Sequence, residues 1–295
     1  MEIVLDALKD TALVFPFILL IYILIEFLEN GTTAEKTRKT LRGPLAPLFG
    51  SATGIIPQCG FSVMAAKLYD SGLIRTGTIM AVFIATSDEA LIILLANSTQ
   101  SIGAAQAILP LIAVKLLLAT AVGYIVNAII KDKLNEAQPL YSDEGKEHAY
   151  SCGHDHDGHS AVELYFLHPL LHSLKVTAYV LIVNLVFGVL ISSIGEEAIA
   201  SWLTGGTYYQ PFITAAVGLI PNCASSAVLT ETFVNGGITF GSCVAGLCTN
   251  AGLGMVVLLR NTKKIKRNLL LMFSIYAIAV LAGILINVLQ IALEL

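Results

Sequence analysis

The chain has 295 residues, of which 56% are hydrophobic and only 13% are charged, with a net charge of −4. Soluble domains carry about 25% charged residues, so this composition, with a mean hydropathy of +0.77, excludes a water-soluble enzyme. The acidic balance and the lack of a basic stripe exclude a nucleic-acid partner. Five cysteines, four of them in apolar segments, do not form a disulfide framework. An all-α polytopic membrane protein is predicted.

Eight apolar runs of about membrane-spanning length follow one another along the chain. Four of them have the pattern of plain spanning helices: 10–28, 104–130, 173–194 and 268–292. The other four are interrupted near the middle by Gly, Pro or polar residues: 45–69, 77–96, 209–233 and 241–259. Irregular backbone at membrane depth persists only where protein or a water-filled cavity satisfies its amides. We therefore expect the functional site at these interruptions.

An internal repeat relates the two halves of the chain. Residues 52–95 align with 216–259 at a constant offset of 164, without a gap, and the offset extended further places Ala279 opposite Lys115. Chance does not readily align a Pro-x-Cys-x-x-Ser motif and two later glycines. This predicts a first membrane repeat at 1–130, a linker at 131–172 and a second repeat at 173–295.

The distribution of Lys and Arg among the loops predicts how each repeat is oriented across the membrane. Loops 29–43 and 260–267 are rich in Lys and Arg and are predicted to be cytoplasmic, whereas their counterparts, 195–208 and 97–103, contain no Lys or Arg. Opposite bias in matching loops indicates inverted-topology repeats, each with one re-entrant hairpin and one broken helix. The result is about ten helical segments with both termini outside. The alternative has eight full spans in parallel halves.

The two predicted hairpin tips, Pro57–Ser62 and Pro221–Ser226, share their motif. Proline (Pro57, Pro221) breaks each helix, and the adjacent Cys and Ser offer soft and hard ligands. Discontinuous helices of inverted repeats that meet near the midplane are typical of secondary transporters. The plain alternative is that these small residues serve helix packing. The expected substrate-binding residues at the tips are Gln58, Cys59, Ser62, Asn222, Cys223 and Ser226.

The broken helices add a pair of carboxylates, Asp88 and Glu89, in the middle of an apolar run. A carboxylate at the bilayer centre costs at least ~2.5 kcal/mol, so it is functional by default. Gly252 and Leu253 occupy the aligned positions, and this asymmetry favours cation binding over the alternative of a structural ion pair. The same two helices are expected to contribute further substrate ligands: Ser87, Cys248, Thr249 and Asn250.

Lys115 lies deep in the run 104–130. We expect this lysine, or a proton, to neutralise Asp88 and Glu89 when no substrate is bound, which makes the three residues the coupling group. The alternative is that Lys115 extends its side chain to the interface.

All six histidines fall between residues 148 and 172. Alternating His and Asp with one Cys suits transition metals such as Zn, Ni or Mn, although the spacing matches no fixed zinc fold. We expect a cytoplasmic metal-sensing or metal-delivering loop, with a soluble linker as the alternative. Its candidate ligands are His148, Cys152, His154, His156 and His159.

The tip motifs, the glycines after them and the His-rich loop resemble the ten-helix heavy-metal exporter family, whose members are labelled manganese transporters or arsenic efflux proteins. The chain is also distantly similar to the organoarsenical permeases. Their Pro-x-Cys-Ser-Cys-Gly pattern is matched here only by Pro57 with Cys59 and by Pro221 with Cys223. The missing second cysteine argues against a thiol-chelated arsenical, and the resemblance implies efflux more firmly than it implies a substrate.

The sequence thus predicts a secondary active exporter of a divalent metal ion, Mn²⁺ first, that exchanges with protons by alternating access and has no enzymatic activity and no resident cofactor. Its metal ligands would be Asp88, Glu89, Cys59 and Cys223. Two alternatives stay open: an efflux permease for arsenicals or another small organic anion, and a channel or metal sensor that uses the His-rich loop. The expected partners are the lipid bilayer of the cell membrane, the metal or metalloid substrate, and a second copy in a homodimer.

Overall fold

A computed structural model provides the fold. It describes residues 41–57, 59–86, 89–98, 102–130, 168–194, 201–203, 209–261 and 264–292, with isolated positions between 8 and 23. Every regular element in this part of the chain is a helix, which confirms the all-helical prediction. In chain order the helices are α1 (Ala46–Gly54), α2 (Cys59–Asp70), α3 (Thr76–Ala85), α4 (Ala90–Asn97), α5 (Ile102–Ile129), α6 (His168–Ile194), α7 (Gln210–Gly218), α8 (Cys223–Val234), α9 (Phe240–Thr249), α10 (Leu253–Arg260) and α11 (Ile265–Ala292).

Four stretches are long and apolar enough to cross a bilayer. They contain 21 to 28 residues, which at about 1.5 Å per residue gives lengths of about 32 to 42 Å, more than the ~30 Å hydrocarbon core. These stretches are Thr76–Asn97, Ala105–Ile129, Phe240–Arg260 and Ile265–Ala292. The chain is therefore a multi-pass membrane protein. The predicted span 173–194 lies within α6, where the described apolar piece Ser173–Val183 is shorter, and most of 10–28 lies outside the described residues.

The apolar runs are broken where the sequence predicts. Thr76–Asn97 divides into α3 and α4, and Phe240–Arg260 divides into α9 and α10, where Gly252 adopts the positive φ of 53° that favours glycine. The first pair, α1 and α2, has 9 and 12 residues, or about 14 and 18 Å at the helical rise. Neither member of that pair is long enough to cross the hydrocarbon core by itself.

The same helices recur in both halves. The bounds of α1, α2 and α3 become those of α7, α8 and α9 when 164 is added to each number. The turn after the second helix is also shared, because Gly72 and Gly236 have φ values of 75° and 74°. The ungapped alignment therefore corresponds to equivalent local structure over these three helices, whereas the bounds of α4 and α10 differ by 163.

A buried layer lies inside an apolar exterior. Almost all of α3 and α9 is buried, and α5 packs against α3 as α11 packs against α9. The outer surfaces of the two long helices expose large apolar side chains, as lipid-facing helices do. Examples are Leu109, Leu117, Phe273, Leu281 and Ile291. The polar groups described next lie within the buried layer.

Candidate functional site

Lys115 joins the two broken helices. Its side chain is 1% exposed, and its ammonium donates a hydrogen bond to the carbonyl oxygen of Thr86 and another to that of Leu247 at 2.8 Å. Thr86 follows the last residue of α3, and Leu247 lies in the last turn of α9. Because the C-terminal end of a helix carries a partial negative charge, both partners attract a cation. One cation thus bridges helix ends from the two halves.

The break between α9 and α10 is held by Asn250. This side chain is 5% exposed, its Oδ1 accepts from the backbone N–H of Gly252 at 3.0 Å, and its Nδ2 donates to Ser225 Oγ at 3.1 Å. Ser225 in turn donates to the carbonyl oxygen of Asn222 at 2.7 Å. The start of α8 is fixed at the same place, since the Asn222 side chain accepts from Ala224 N–H at 3.0 Å. The second tip motif and the second helix break therefore form one hydrogen-bonded unit.

Packing across the halves is closest between α2 and α10. A methyl group on Gly254 would lie only 2.6 Å from the carbonyl oxygen of Ser62, whose own side chain is fully buried. Helix α8 packs against α4 in the corresponding way, and Ser226 is buried within α8. Each tip helix thus contacts the second piece of the broken helix from the other half.

Thr249 and Cys248 end α9 in a fully buried position. The hydroxyl of Thr249 lies 2.8 Å from the carbonyl oxygen of Ala215 and 2.9 Å from that of Gly246, which ties α9 to α7. Cys248 and Cys243 are both free, buried thiols on the same helix. All three residues therefore lie buried on the helix whose Leu247 carbonyl accepts the hydrogen bond from Lys115.

Several predicted site residues are placed only in part. Glu89 is partly buried directly before α4, Pro57 and Pro221 lie in the breaks that precede α2 and α8, and the backbone of Cys59 and Cys223 begins those two helices. Within the described part of the chain no group of three or more His, Cys, Asp or Glu side chains could hold a metal ion. Outside the described residues are Gln58, Ser87, Asp88, His148, Cys152, His154, His156 and His159.

The residue that corresponds to Lys115 is Ile275, and the expected partner Ala279 is wrong. Gly77 and Gly241 differ by 164, but the residues they contact, Gly123 and Gly283, differ by 160. The difference of four residues arises in two places: the break between α3 and α4 is one residue longer than that between α9 and α10, and α5 has three more residues before Gly123 than α11 has before Gly283. Ile275 is fully buried, so the second half places an apolar side chain where the first half has a cation.

A second polar contact, which the sequence analysis missed, joins the halves at the other end of α2. The carboxylate of Asp70 accepts from Asn261 Nδ2 at 2.9 Å and from the guanidinium of Arg267 at 3.3 Å. Lys264 donates to the backbone carbonyl of Asp70 at 2.8 Å. The guanidinium of Arg267 also lies 4.2 Å from the ring centre of Tyr69, a favourable cation–π distance. We call this cluster the Asp70 latch.

Comparison with known families gives one match. The sequence model of a family described as "Putative, 10TM heavy-metal exporter" matches residues 1–169 and 171–293, nearly the whole chain. No curated protein matches the chain. No solved structure matches it either.

Proposed function

Because the chain belongs to the ten-helix heavy-metal exporter family, we propose that it is a secondary active transporter that exports a divalent metal ion, Mn²⁺ first, in exchange for protons. The observation that carries this proposal is the bridge from Lys115 to Thr86 and Leu247. It places two helix C-termini and a buried cation together inside an apolar protein. Such groups are costly in a purely structural role and are typical of a transport pathway. An exporter of this kind is not an enzyme.

The proposed substrate ligands come from the tip motifs and the helix breaks of both halves. Asp88 and Glu89 follow Thr86 within three residues, and their oxygens are the hard ligands that Mn²⁺ prefers. Asn222 and Asn250 provide amide groups from the other half. Cys59 and Cys223 begin α2 and α8 and would favour softer metals if they coordinate. The remaining proposed contacts are Gln58, Ser62, Ser87, Ser226, Cys248 and Thr249.

We infer that the two halves are inverted repeats, 1–130 and 173–295, joined by the linker 131–172. The shared helix bounds support the duplication, and the opposite Lys and Arg bias of matching loops supports the inversion. In this arrangement α1 with α2 and α7 with α8 are re-entrant hairpins. The termini lie outside, the His-rich loop is cytoplasmic, and the hairpins and broken helices rock against the long helices to expose the site alternately.

Flux measurements in proteoliposomes test the proposal. Uptake of Mn²⁺, Zn²⁺, Ni²⁺ and trivalent arsenicals is followed with an imposed proton gradient, for the wild type and for Asp88→Asn. We expect Mn²⁺ flux that depends on the gradient and falls at least about tenfold in Asp88→Asn, because the amide removes a charged ligand. Glu231→Gln is the matched control, since Glu231 is an exposed carboxylate on α8. Its flux should equal that of the wild type.

Two outcomes would favour the alternatives. Arsenical flux that survives Asp88→Asn would favour an arsenical permease, for which the buried free thiols Cys243 and Cys248 provide soft ligands. Deletion of 148–160 separates the exporter from a metal sensor. An exporter keeps its flux with altered regulation, whereas a sensor loses its whole metal response.

A further inference from the structure

Two backbone carbonyls from opposite halves converge on one buried point. Thr86 O and Leu247 O, 161 positions apart in the chain, both accept a hydrogen bond from the same ammonium, that of Lys115. Each carbonyl lies at the C-terminal end of its own broken helix, α3 or α9. The geometry therefore concentrates oxygen atoms and two negative helix ends around a position that is now filled by a cation.

The chemistry of this position is that of a cation site. A helix C-terminus is equivalent to roughly half a negative charge, so the two helix ends together contribute about one negative charge beside the ammonium. Backbone carbonyls are hard oxygen ligands of the kind that bind Mn²⁺, Mg²⁺ or Ca²⁺. In transporters with discontinuous helices, half-helix C-termini and unwound carbonyls coordinate ions. The oxygen atoms that hold Lys115 could thus hold a metal ion.

The fold itself does not require the lysine. Ile275 occupies the equivalent position on α11 and is fully buried, and α11 packs against α7, α9 and α10 as α5 packs against α1, α3 and α4. An apolar side chain is therefore sufficient to support a broken helix of this design. The cation is a feature of the first half only, the same half that carries Asp88 and Glu89.

We propose that Thr86 O and Leu247 O are ligands of the exported divalent cation, and that the ammonium of Lys115 is a tethered competitor for the same oxygens. The metal ion binds when the ammonium withdraws, and the return of the ammonium drives the metal off. The proposal rests on the function proposed above and adds to it two backbone ligands and a release step. No bond is made or broken apart from hydrogen bonds and metal–oxygen contacts.

Direct Mn²⁺ binding to the purified full chain tests this proposal. If the oxygens are free of the ammonium for only about a tenth of the time, removing the ammonium tightens the apparent Kd about tenfold. We therefore expect Lys115→Met to bind Mn²⁺ about tenfold more tightly, to lose net export, and to keep exchange of Mn²⁺ for Mn²⁺ across the membrane. Lys175→Met, at an exposed position on α6, is the matched control and should behave as wild type.

The outcomes are distinguishable. If Lys115→Met is folded and its Mn²⁺ affinity is unchanged or weaker, the role of Lys115 as a tethered competitor is overturned, and the exporter proposal stands as long as the wild type still transports Mn²⁺. If Lys115→Met does not fold, Lys115→Gln, which keeps a donor but no charge, decides the question with the same expectation. A wild type that neither binds nor transports any divalent cation overturns both proposals.

Discussion

Gly77 and Gly241 mark equivalent helix crossings that leave no room for a side chain. A methyl group on Gly77 would lie 2.2 Å from the carbonyl oxygen of Gly123 and 2.6 Å from Asn127 Oδ1. On Gly241 it would lie 2.4 Å from the carbonyl oxygen of Gly283 and 2.4 Å from Asn287 Oδ1. Real Cβ atoms essentially never approach within 3.0 Å, so α3 and α5 must part by at least 0.8 Å, and α9 and α11 by at least 0.6 Å.

The size of the effect follows from two opposing terms. Overpacking of this kind costs about 1–3 kcal/mol. Alanine gains up to about 1 kcal/mol of helix propensity over glycine in a helix interior, and less in the first turn, where both glycines lie. Gly77 also donates its N–H to Asn127 Oδ1 at 2.9 Å, and the shift would weaken that hydrogen bond. We expect net destabilisation by roughly 1–2 kcal/mol for Gly241→Ala and somewhat more for Gly77→Ala.

Reversible unfolding in mixed micelles measures both changes. Thr78→Val is the matched control in the same turn of α3, since the buried hydroxyl of Thr78 makes no hydrogen bond with the described residues. Valine keeps its shape, so stability should stay the same or rise by up to about 1 kcal/mol. The packing argument is refuted if both alanine variants unfold at the wild-type midpoint. If Gly77→Ala lowers the stability and Gly241→Ala does not, the two helix crossings are not equivalent.

Further predictions concern the polar contacts. Asp70→Asn should destabilise the protein by no more than about 1 kcal/mol, because the side chains of Asp70 and Arg267 are 22% and 41% exposed. Salt screens such a pair, so the difference in stability should vanish in high salt. An effect that persists in 1 M salt would contradict an electrostatic role of the Asp70 latch. Asn250→Ala should cost about 1–3 kcal/mol, because it leaves the Gly252 N–H without its acceptor, and a double-mutant cycle with Ser225→Ala should give a coupling near 1 kcal/mol. Zero coupling would argue against the hydrogen-bonded unit of tip and break.

The sequence predicts the helix breaks well, because Pro57, Pro221 and Gly252 act locally on the backbone. It also identifies Lys115 as a buried charge from its depth in an apolar run. It does not identify Thr86 O and Leu247 O, because every residue carries a carbonyl and only the tertiary packing selects these two. The Asp70 latch was missed for a similar reason, since its members are 191 to 197 positions apart.

The shift in offset was also missed, although the sequence contains a signal for it. Both long helices carry Gly-x-x-x-Asn, at Gly123–Asn127 in α5 and at Gly283–Asn287 in α11. These pairs contact Gly77 and Gly241 in the same way, which requires an offset of 160. A constant offset of 164 conceals the match, because the first half has one additional residue in its helix break and three more at the start of α5.

Exchanging the residues at positions 115 and 275 tests whether Lys115 is needed for the stability of the fold or for transport of the metal ion. The repeat relates Thr86 to Asn250 and Leu247 to Phe83, because equivalent positions in α3 and α9 differ by 164. A lysine at position 275 would therefore face the carbonyls of Asn250 and Phe83. Lys115→Ile alone leaves two buried carbonyls without their donor and should cost about 1–3 kcal/mol.

Adding Ile275→Lys to Lys115→Ile should recover part of that stability, because the carbonyls of Asn250 and Phe83 lie at the C-terminal ends of the same two helices, α9 and α3, and attract a cation there. Transport should stay lost, since Gly252 and Leu253 replace the carboxylates in the second half. Recovery of Mn²⁺ flux in the double variant would show that Lys115 only neutralises helix ends. Failure to recover any stability would show that positions 115 and 275 are not equivalent.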